Sequence, residues 1–403
     1  MDTAPRKLVS LRVVHDLYPI RSTLNKQYIA EIDGWSCVVD AGKFRVGQLA
    51  LYFEIDCFLP ESDPRFAGLG SISTFKGERG HRIQTKVFGR GGNVVTSQGI
   101  LMRLENFPEV HEPIKKLRDD LDFMDNKAFN AIVMFWQGNW DFSTDIGVTK
   151  WEAPAISATP DPGAAIPAPV AASTLGGFPT WLCKKSDHSR VQDCPNLFVS
   201  AKYRNAVFQE SVKMDGASMT VYFVSKSSAE LYASLRELPR GQGEVGPNTV
   251  LPNGRFGVCS HHVELAERGG GFFWEAALRN DLPRKMAALG RDVAVQGELV
   301  GDKVAENREG FGAGERDFYV FAVWDIKAGR HMHPRVAEQR AKELGLKHVP
   351  VLGYVKLWEI AKSREDLLQR ATRRKGEGLV FKNVRDGRWF KVHSNTYLLE
   401  HRL

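Results

Sequence analysis

From Ala153 to Gly177 the chain is dominated by alanine, proline, serine and threonine. Such a stretch buries too little apolar surface to repay its own ordering, and its prolines hold it semi-extended. It divides the 403 residues into two parts, 1–152 and 178–403, with 153–177 as a linker. Each part is long enough for its own core. Hydrophobic residues make up 43% and charged residues 26%, ordinary values for a globular protein. The net charge of +7 and pI near 9.1 suit a polyanion partner but do not single one out. The five cysteines are odd in number and form no C-x-x-C pair, so neither a disulfide framework nor a zinc site is indicated. The first ten residues have no apolar signal-peptide core, and no run approaches about 18 apolar residues. The expectation is an intracellular protein in a reducing compartment, with no membrane partner.

The first part reads as β-rich. Leu8–Val14 forms a strand; Tyr28–Ile32 and Trp35–Val39 flank Asp33-Gly34, a hairpin turn signal. Leu49–Ile55, Arg82–Phe88 and Gly99–Met102 bring the total to about five or six short strands. With Gly-marked bends, that pattern predicts a small barrel of the OB kind. Residues 112–147 read as helical and loop-like. Beyond the linker, strands alternate with helices. Trp274–Leu289 is expected to be helical, with Ala277, Leu278, Leu282 and Met286 near one face and Pro283 kinking it or starting a second helix. Phe318–Trp324 is a strand too apolar to be exposed. Val336–Leu344 and Val355–Gln369 contain further helices. Leu238–Phe256 and Asp302–Asp317 read as surface loops.

The residues with the most chemical content are Lys213-Met214-Asp215-Gly216, a tight turn between two strands that sets one amine at the mouth of a pocket. Burial and nearby cations would depress a lysine below its ordinary pKa of about 10.4 and expose its lone pair. Such an amine can attack the α-phosphorus of a nucleoside triphosphate, a reaction that depends on in-line geometry and charge neutralisation. Lys382, Lys391 and a divalent metal could neutralise that charge. Glu298 and Glu377 can hold ribose hydroxyls and a hydrated metal ion, since hard cations prefer oxygen ligands. Phe321 could stack on the base. Taken singly, each piece has a plainer explanation: a solvated turn, a strand edge, a core phenylalanine, a surface lysine. Their shared half of the chain, each beside a β-like run, favours a common pocket.

The second part resembles the covalent nucleotidyltransferases. Nearly the whole chain is similar to ATP-dependent RNA ligases of the Deinococcus radiodurans type, which carry an N-terminal OB module before an adenylyltransferase domain. At the front the resemblance rests on Arg6–Ser10, Asp33-Gly34-Trp35, Gly42–Gly47, Tyr52–Asp56 and Ser97-Gln98-Gly99. Beyond the linker it rests on Lys184–Asp187, Arg190-Val191-Gln192 and the nucleotidyl motifs. It implies an α+β protein: an OB-like β-barrel module joined to a mixed antiparallel-sheet nucleotidyltransferase domain. It also implies that Lys213 accepts AMP, with Asp215 and Gly216 in its nucleotide-binding turn. Glu210 and the backbone near Val212 would meet adenine, Glu298 the ribose, and Phe321 would stack on adenine. Glu377 would assist a metal, Mg²⁺ or Mn²⁺, through water, and Lys382 and Lys391 would contact phosphates. The reaction would run from ATP through lysyl-AMP to an adenylated RNA 5′-phosphate, then to a phosphodiester with a 3′-hydroxyl.

Three positions depart from the family pattern. His261 stands where an arginine is usual, Ala322 where an aspartate is common, and Trp389-Phe390-Lys391 offers one lysine where two are usual. Lys43, Arg45, Lys86 and Arg90 are the basic candidates for RNA contact on the OB module, with His261 on the second domain. The expected partner is a nicked, RNA-containing duplex, and the expected state is a monomer. A DNA ligase or a capping guanylyltransferase usually continues into a further OB domain, whereas here only Val392–Leu403 follow the last lysine motif. A non-catalytic RNA-binding protein keeping the fold is the remaining alternative.

Overall fold

In the computed structural model the described residues are 7–20, 26–89, 94–138, 140–151, 174–186, 188–238 and 245–401, with no side-chain description for Pro195. Strand Leu49–Phe53 organises the N-terminal part. Its two edges pair antiparallel with Val9–Val13 and Ile100–Arg103. Because strand side chains alternate between faces, Leu51 and Phe53 enter one apolar cluster while Ala50 and Tyr52 enter another. That double burial explains why the strand is apolar throughout. The first cluster is closed by helices Pro108–Asp120 and Asn126–Gln137, through Val110, Ile114, Phe129 and Val133. The second lies inside the barrel around Trp35, Cys37 and Tyr52. Gln27–Ile32 and Trp35–Asp40 form the expected hairpin. Asp33 and Gly34 both have positive φ, 41° and 86°, as the turn matching right-handed strand twist requires.

The N-terminal part holds more strands than expected. Twelve short strands lie between Val9 and Lys150 among the described residues. The expected run Arg82–Phe88 is split into Glu78–Arg82 and Lys86–Phe88. Between them Ile83 bonds out of the ladder, accepting from Asp56 N and donating to Cys57 O. The expected linker lies outside the described residues as far as 173. Its last four residues, Thr174–Gly177, are a strand paired with Val263–Leu265.

The second part is built on two sheets. Nine strands run in the order Thr174–Gly177, Val263–Leu265, Gly254–Cys259, Ala217–Ser225, Val293–Gly301, Arg316–Asp325 and Arg330–His331, with Val250–Leu251 and Lys347–His348 attached. Five strands form the other sheet, Ser189–Arg190, Trp389–His393, Gly378–Asn383, Val207–Lys213 and Val351–Lys356. Pairing is antiparallel except at Ser189–Arg190 and Lys347–His348. The larger sheet is covered by helices Gly271–Arg279, Leu282–Ala288 and Pro334–Glu343, which bury Trp274, Met286 and Ala337 against Val221, Val295 and Val320.

Several expectations shift in detail. The Trp274 helix breaks at Asn280-Asp281, where Asp281 has φ 54°, and Pro283 sits in the first turn of the second helix. The first helix buries Trp274, Ala276 and Ala277, so Leu278 lies off its buried face, 41% exposed, while Leu282 and Met286 of the second helix are in the core. Val250–Leu251 and Gly254–Cys259 turn much of the expected 238–256 loop into a hairpin, with Phe256 fully buried. Val355 is a strand residue; the helices there are Leu357–Ile360 and Arg364–Thr372.

The two parts share a polar seam that the sequence did not reveal. Arg190 Nε lies 3.1 Å from Glu54 Oε1, both almost fully buried. Asp193 Oδ1 accepts from Arg12 Nη2 at 3.1 Å and from Trp35 Nε1 at 3.2 Å. Gln98 bonds Gln192 and Asn395, and Arg364 donates to Asp33 O at 3.0 Å.

Candidate active site

Lys213 ends strand Val207–Lys213 of the smaller sheet, and Ala217 opens strand Ala217–Ser225 of the larger. The turn Met214-Asp215-Gly216 therefore carries the chain from one sheet to the other, and the lysine stands where they diverge. Gly216 is required by close approach. A Cβ there would lie 2.3 Å from Leu299 O, 2.8 Å from Val300 Cγ1 and 2.9 Å from Glu298 Cγ. A cavity of about 180 Å³ opens beside the turn, lined by Ser211, Lys213, Glu298, Phe321, Lys382 and Lys391, and also by Val212, Ser218 and His261.

Each side chain reaches this cavity for a local reason. Glu298 is paired with Ser218 across the central strands. Phe321 lies at a bulge in strand Arg316–Asp325, where Gln296 faces Ala322 but Gly297 faces Val320. Phe318 and Val320 point into the main core, whereas Tyr319 and Phe321 join Met214, Val300 and Val349 at the cavity. Lys382 and Lys391 come from the paired strands Gly378–Asn383 and Trp389–His393. Gly378, with φ 150° and a would-be Cβ 2.1 Å from Val392 O, lets that hairpin pack closely behind Glu377.

Electrostatics at the lysine differ from expectation. Lys213 Nζ lies 2.5 Å from Glu377 Oε2. Burial pulls its pKa down, but Glu377, Glu298 and Asp215 outweigh burial and hold the amine above 10.5. The charges that act on it most strongly are carboxylates, not the cations expected. Burial pushes the Glu298 carboxyl up to about 8 against the pull of Lys213. Glu377 is likewise raised by burial, with Lys213 and Lys391 opposing, and His393 Nδ1 lies 3.6 Å from its Oε1. Lys382 behaves in the opposite way. It is 1% exposed, donates to Phe321 O at 2.5 Å, and burial lowers it to about 7.

Some predicted residues are placed elsewhere. Glu210 is not in the cavity. Strand alternation turns Ser211 and Lys213 to one face and Glu210 to the other, where it takes both Nε and Nη2 of Arg370, at 2.7 and 2.9 Å. The Val212 amide is already engaged with Pro350 O at 2.9 Å. Asp215 supports the turn instead of lining the cavity: its Oδ2 accepts from Arg308 Nη1 at 2.8 Å and Tyr397 OH at 2.6 Å. Lys43, Arg45 and Lys86 are exposed on the N-terminal part, and Arg90 lies outside the described residues. Sequence reasoning missed Ser211, Ser218 and His188 as cavity residues. Alternation from Lys213 was the available signal for Ser211, and the Glu298 register, unseen in sequence, was the one for Ser218.

Two oxygen-rich residues, Glu298 and Glu377, face the lysine, and no cluster of three or more metal-ligating side chains occurs among the described residues. That donor set fits a hard divalent cation held by one or two carboxylates, water and phosphate oxygens. It does not fit a dedicated protein cage.

Comparison with known proteins agrees with this geometry. Residues 206–393 match the RNA ligase family model, and residues 8–104 match an OB-fold domain model. No curated protein matches the chain. Among solved structures, a mutant Naegleria gruberi RNA ligase without ligand is 29% identical, with 98% of each chain covered and a TM-score of 0.72. The same ligase with PPi, and a mutant form with ATP and Mn, are each 28% identical over 98% of this chain and 99% of theirs, with a TM-score of 0.72. The ATP, AMP and Mn of such neighbours fit the cofactors expected from the motifs. An N-terminal OB-fold domain followed by this cavity and these matches make the chain an RNA ligase.

Proposed function

We propose that Lys213 is the residue that accepts AMP from ATP, and that the enzyme seals 3′-hydroxyl and 5′-phosphate ends in nicked, RNA-containing duplexes as a repair ligase. The observation carrying this is the Lys213 amine standing where the two sheets diverge, beside Glu298, Glu377, Phe321 and Lys391. Residues 1–152 serve as the nucleic-acid platform and 178–403 as the adenylyltransferase, acting as a monomer. The five cysteines are buried thiols, which supports a reducing, intracellular setting.

Lys213 must first shed a proton. Glu377, 2.5 Å away, is placed to hold that proton or to release the amine once positive charge arrives nearby. A divalent cation held through water by Glu377, with Glu298 close by, would supply that charge and neutralise phosphate oxygens. The Lys213 amine then bonds to the α-phosphorus of ATP, and the bond to pyrophosphate breaks. Phe321 presents a ring for the base, and Glu298 accepts from ribose hydroxyls. Lys391 faces the phosphates. Lys382, poised near neutrality, takes up a proton as an anion approaches. AMP next passes to the RNA 5′-phosphate, freeing Lys213. Finally the 3′-hydroxyl attacks that phosphorus, AMP leaves, and a phosphodiester remains.

The test is sealing of a panel of nicked duplexes in which each side of the nick is RNA or DNA. Sealing that depends on RNA at the 3′-hydroxyl side supports the reading. Equal sealing of all-DNA nicks, or labelling by GTP and not ATP, overturns it.

A further inference from the structure

A second, larger cavity of about 660 Å³ adjoins the nucleotide cavity. We propose that it seats a nucleotide of the RNA beside the junction being sealed. This inference rests on the ligase reading and adds the place where the polynucleotide is gripped.

Three observations carry it. First, the floor is aromatic. Trp389 faces His331 at 4.3 Å with a 32° tilt, and His188 lies 4.9 Å from the same indole. Burial, with Lys382 and Lys184, lowers His331 to about 3, so its ring stays neutral beside the indole. Trp389 itself is 3% exposed, so the half-buried His331 and His188 rings packed on it are the surfaces a base can meet, and every base has a π-face. Second, the rim is cationic. Lys184, Lys185, Arg330 and Arg385 line it. Its two acids are already engaged: Asp386 Oδ2 with Lys202 Nζ at 2.7 Å, and Asp325 Oδ1 with the Ala328 amide at 2.9 Å. The balance at the mouth therefore favours phosphate. Third, the two cavities adjoin. His188 lines both, and Lys382 Nζ, in the wall of the smaller, sits 4.9 Å over Trp389 in the floor of the larger. A nucleotide held here has its neighbour at the AMP site. Lys213, Glu298 and Glu377 do not line the larger cavity, which separates it from the adenylation chemistry. Its volume falls in the range of small-ligand sites, about 300–1,000 Å³.

The test uses the full chain carrying Arg330→Glu and Arg385→Glu together, both at exposed positions. Lysyl-AMP formation from ATP is measured first, then binding and sealing of a pre-adenylated nicked RNA duplex over a salt series. Adenylation should stay within about twofold of wild type, while duplex binding weakens about tenfold or more and the log–log salt slope falls by about 0.7–0.9 for each lost phosphate contact. Adenylation that falls in step with binding would assign the cavity to ATP and overturn the proposal. Unchanged affinity and salt slope would overturn it too, including the case in which a protein partner occupies the groove. A wild type that takes up no AMP would refute the ligase reading, and the binding arm would still decide the groove.

Discussion

Lys382→Met should make the protein more stable and less active. The buried amine falls from 10.5 to about 7, with burial as the first cause. A shift of that size corresponds to on the order of 5 kcal/mol held against the folded state. Methionine is of similar length, apolar and adaptable. It forfeits the hydrogen bond to Phe321 O, worth about 1–3 kcal/mol for a charged donor. The net expectation is a gain of about 2–4 kcal/mol near neutral pH. The sign follows from the direction of the shift. A lysine with a lowered folded pKa costs most below about 7 and least above 10.5, so the advantage of Lys382→Met should shrink as pH rises between those values. Urea unfolding of both proteins across that range, followed by tryptophan fluorescence, gives the comparison. Lysyl-AMP formation should fall by about 10²-fold, the cost of losing one charge-stabilising donor. A variant less stable than wild type at neutral pH, or a stability difference independent of pH, would refute the reasoning.

Other consequences are as direct. In the enzyme free of ATP and metal, Lys213 should titrate above the ordinary lysine value, because Glu377, Glu298 and Asp215 outweigh burial. Selective ¹³C-methylation and NMR titration will show it, and Glu377→Gln should move that titration downward. Glu54→Gln leaves Arg190 buried without its carboxylate and should cost about 3–5 kcal/mol; a loss below about 1 kcal/mol by urea unfolding would mean the seam contributes little. Gly216→Ala drives a methyl to within 2.3 Å of Leu299 O. Displacing the Lys213 turn by even an ångström should lower lysyl-AMP formation by about 10²-fold, read by gel label with circular dichroism as the folding control.

Much of the site was legible because its residues lie in short motifs beside apolar runs. Lys213, Glu298, Phe321, Lys382 and Lys391 converge on one cavity, with Glu377 against Lys213. The hairpin at Asp33-Gly34 was equally plain, since its conformation depends on two adjacent residues. What escaped depends on partners far along the chain. Glu210 faces Arg370, 160 positions away, so strand parity decides its side. Asp215 is claimed by Arg308 and Tyr397. The Glu54–Arg190 seam joins residues that carry no motif in common. Lys213 itself was expected to be depressed by cations, but three acidic side chains converge on it in space. Leu278 fails for a smaller reason: the two-residue break gives Leu282 and Met286 a helix of their own, and the first helix buries Trp274, Ala276 and Ala277 instead.

The central claim is that Lys213 takes AMP, and one measurement addresses it most directly. Wild type, Lys213→Ala and Lys213→Arg are incubated with ATP and Mg²⁺ or Mn²⁺, then digested and mapped by mass spectrometry. The account predicts one AMP on the peptide containing Lys213, removed by acid, and none on either variant. AMP on a different residue, or equal labelling of Lys213→Ala, would contradict it.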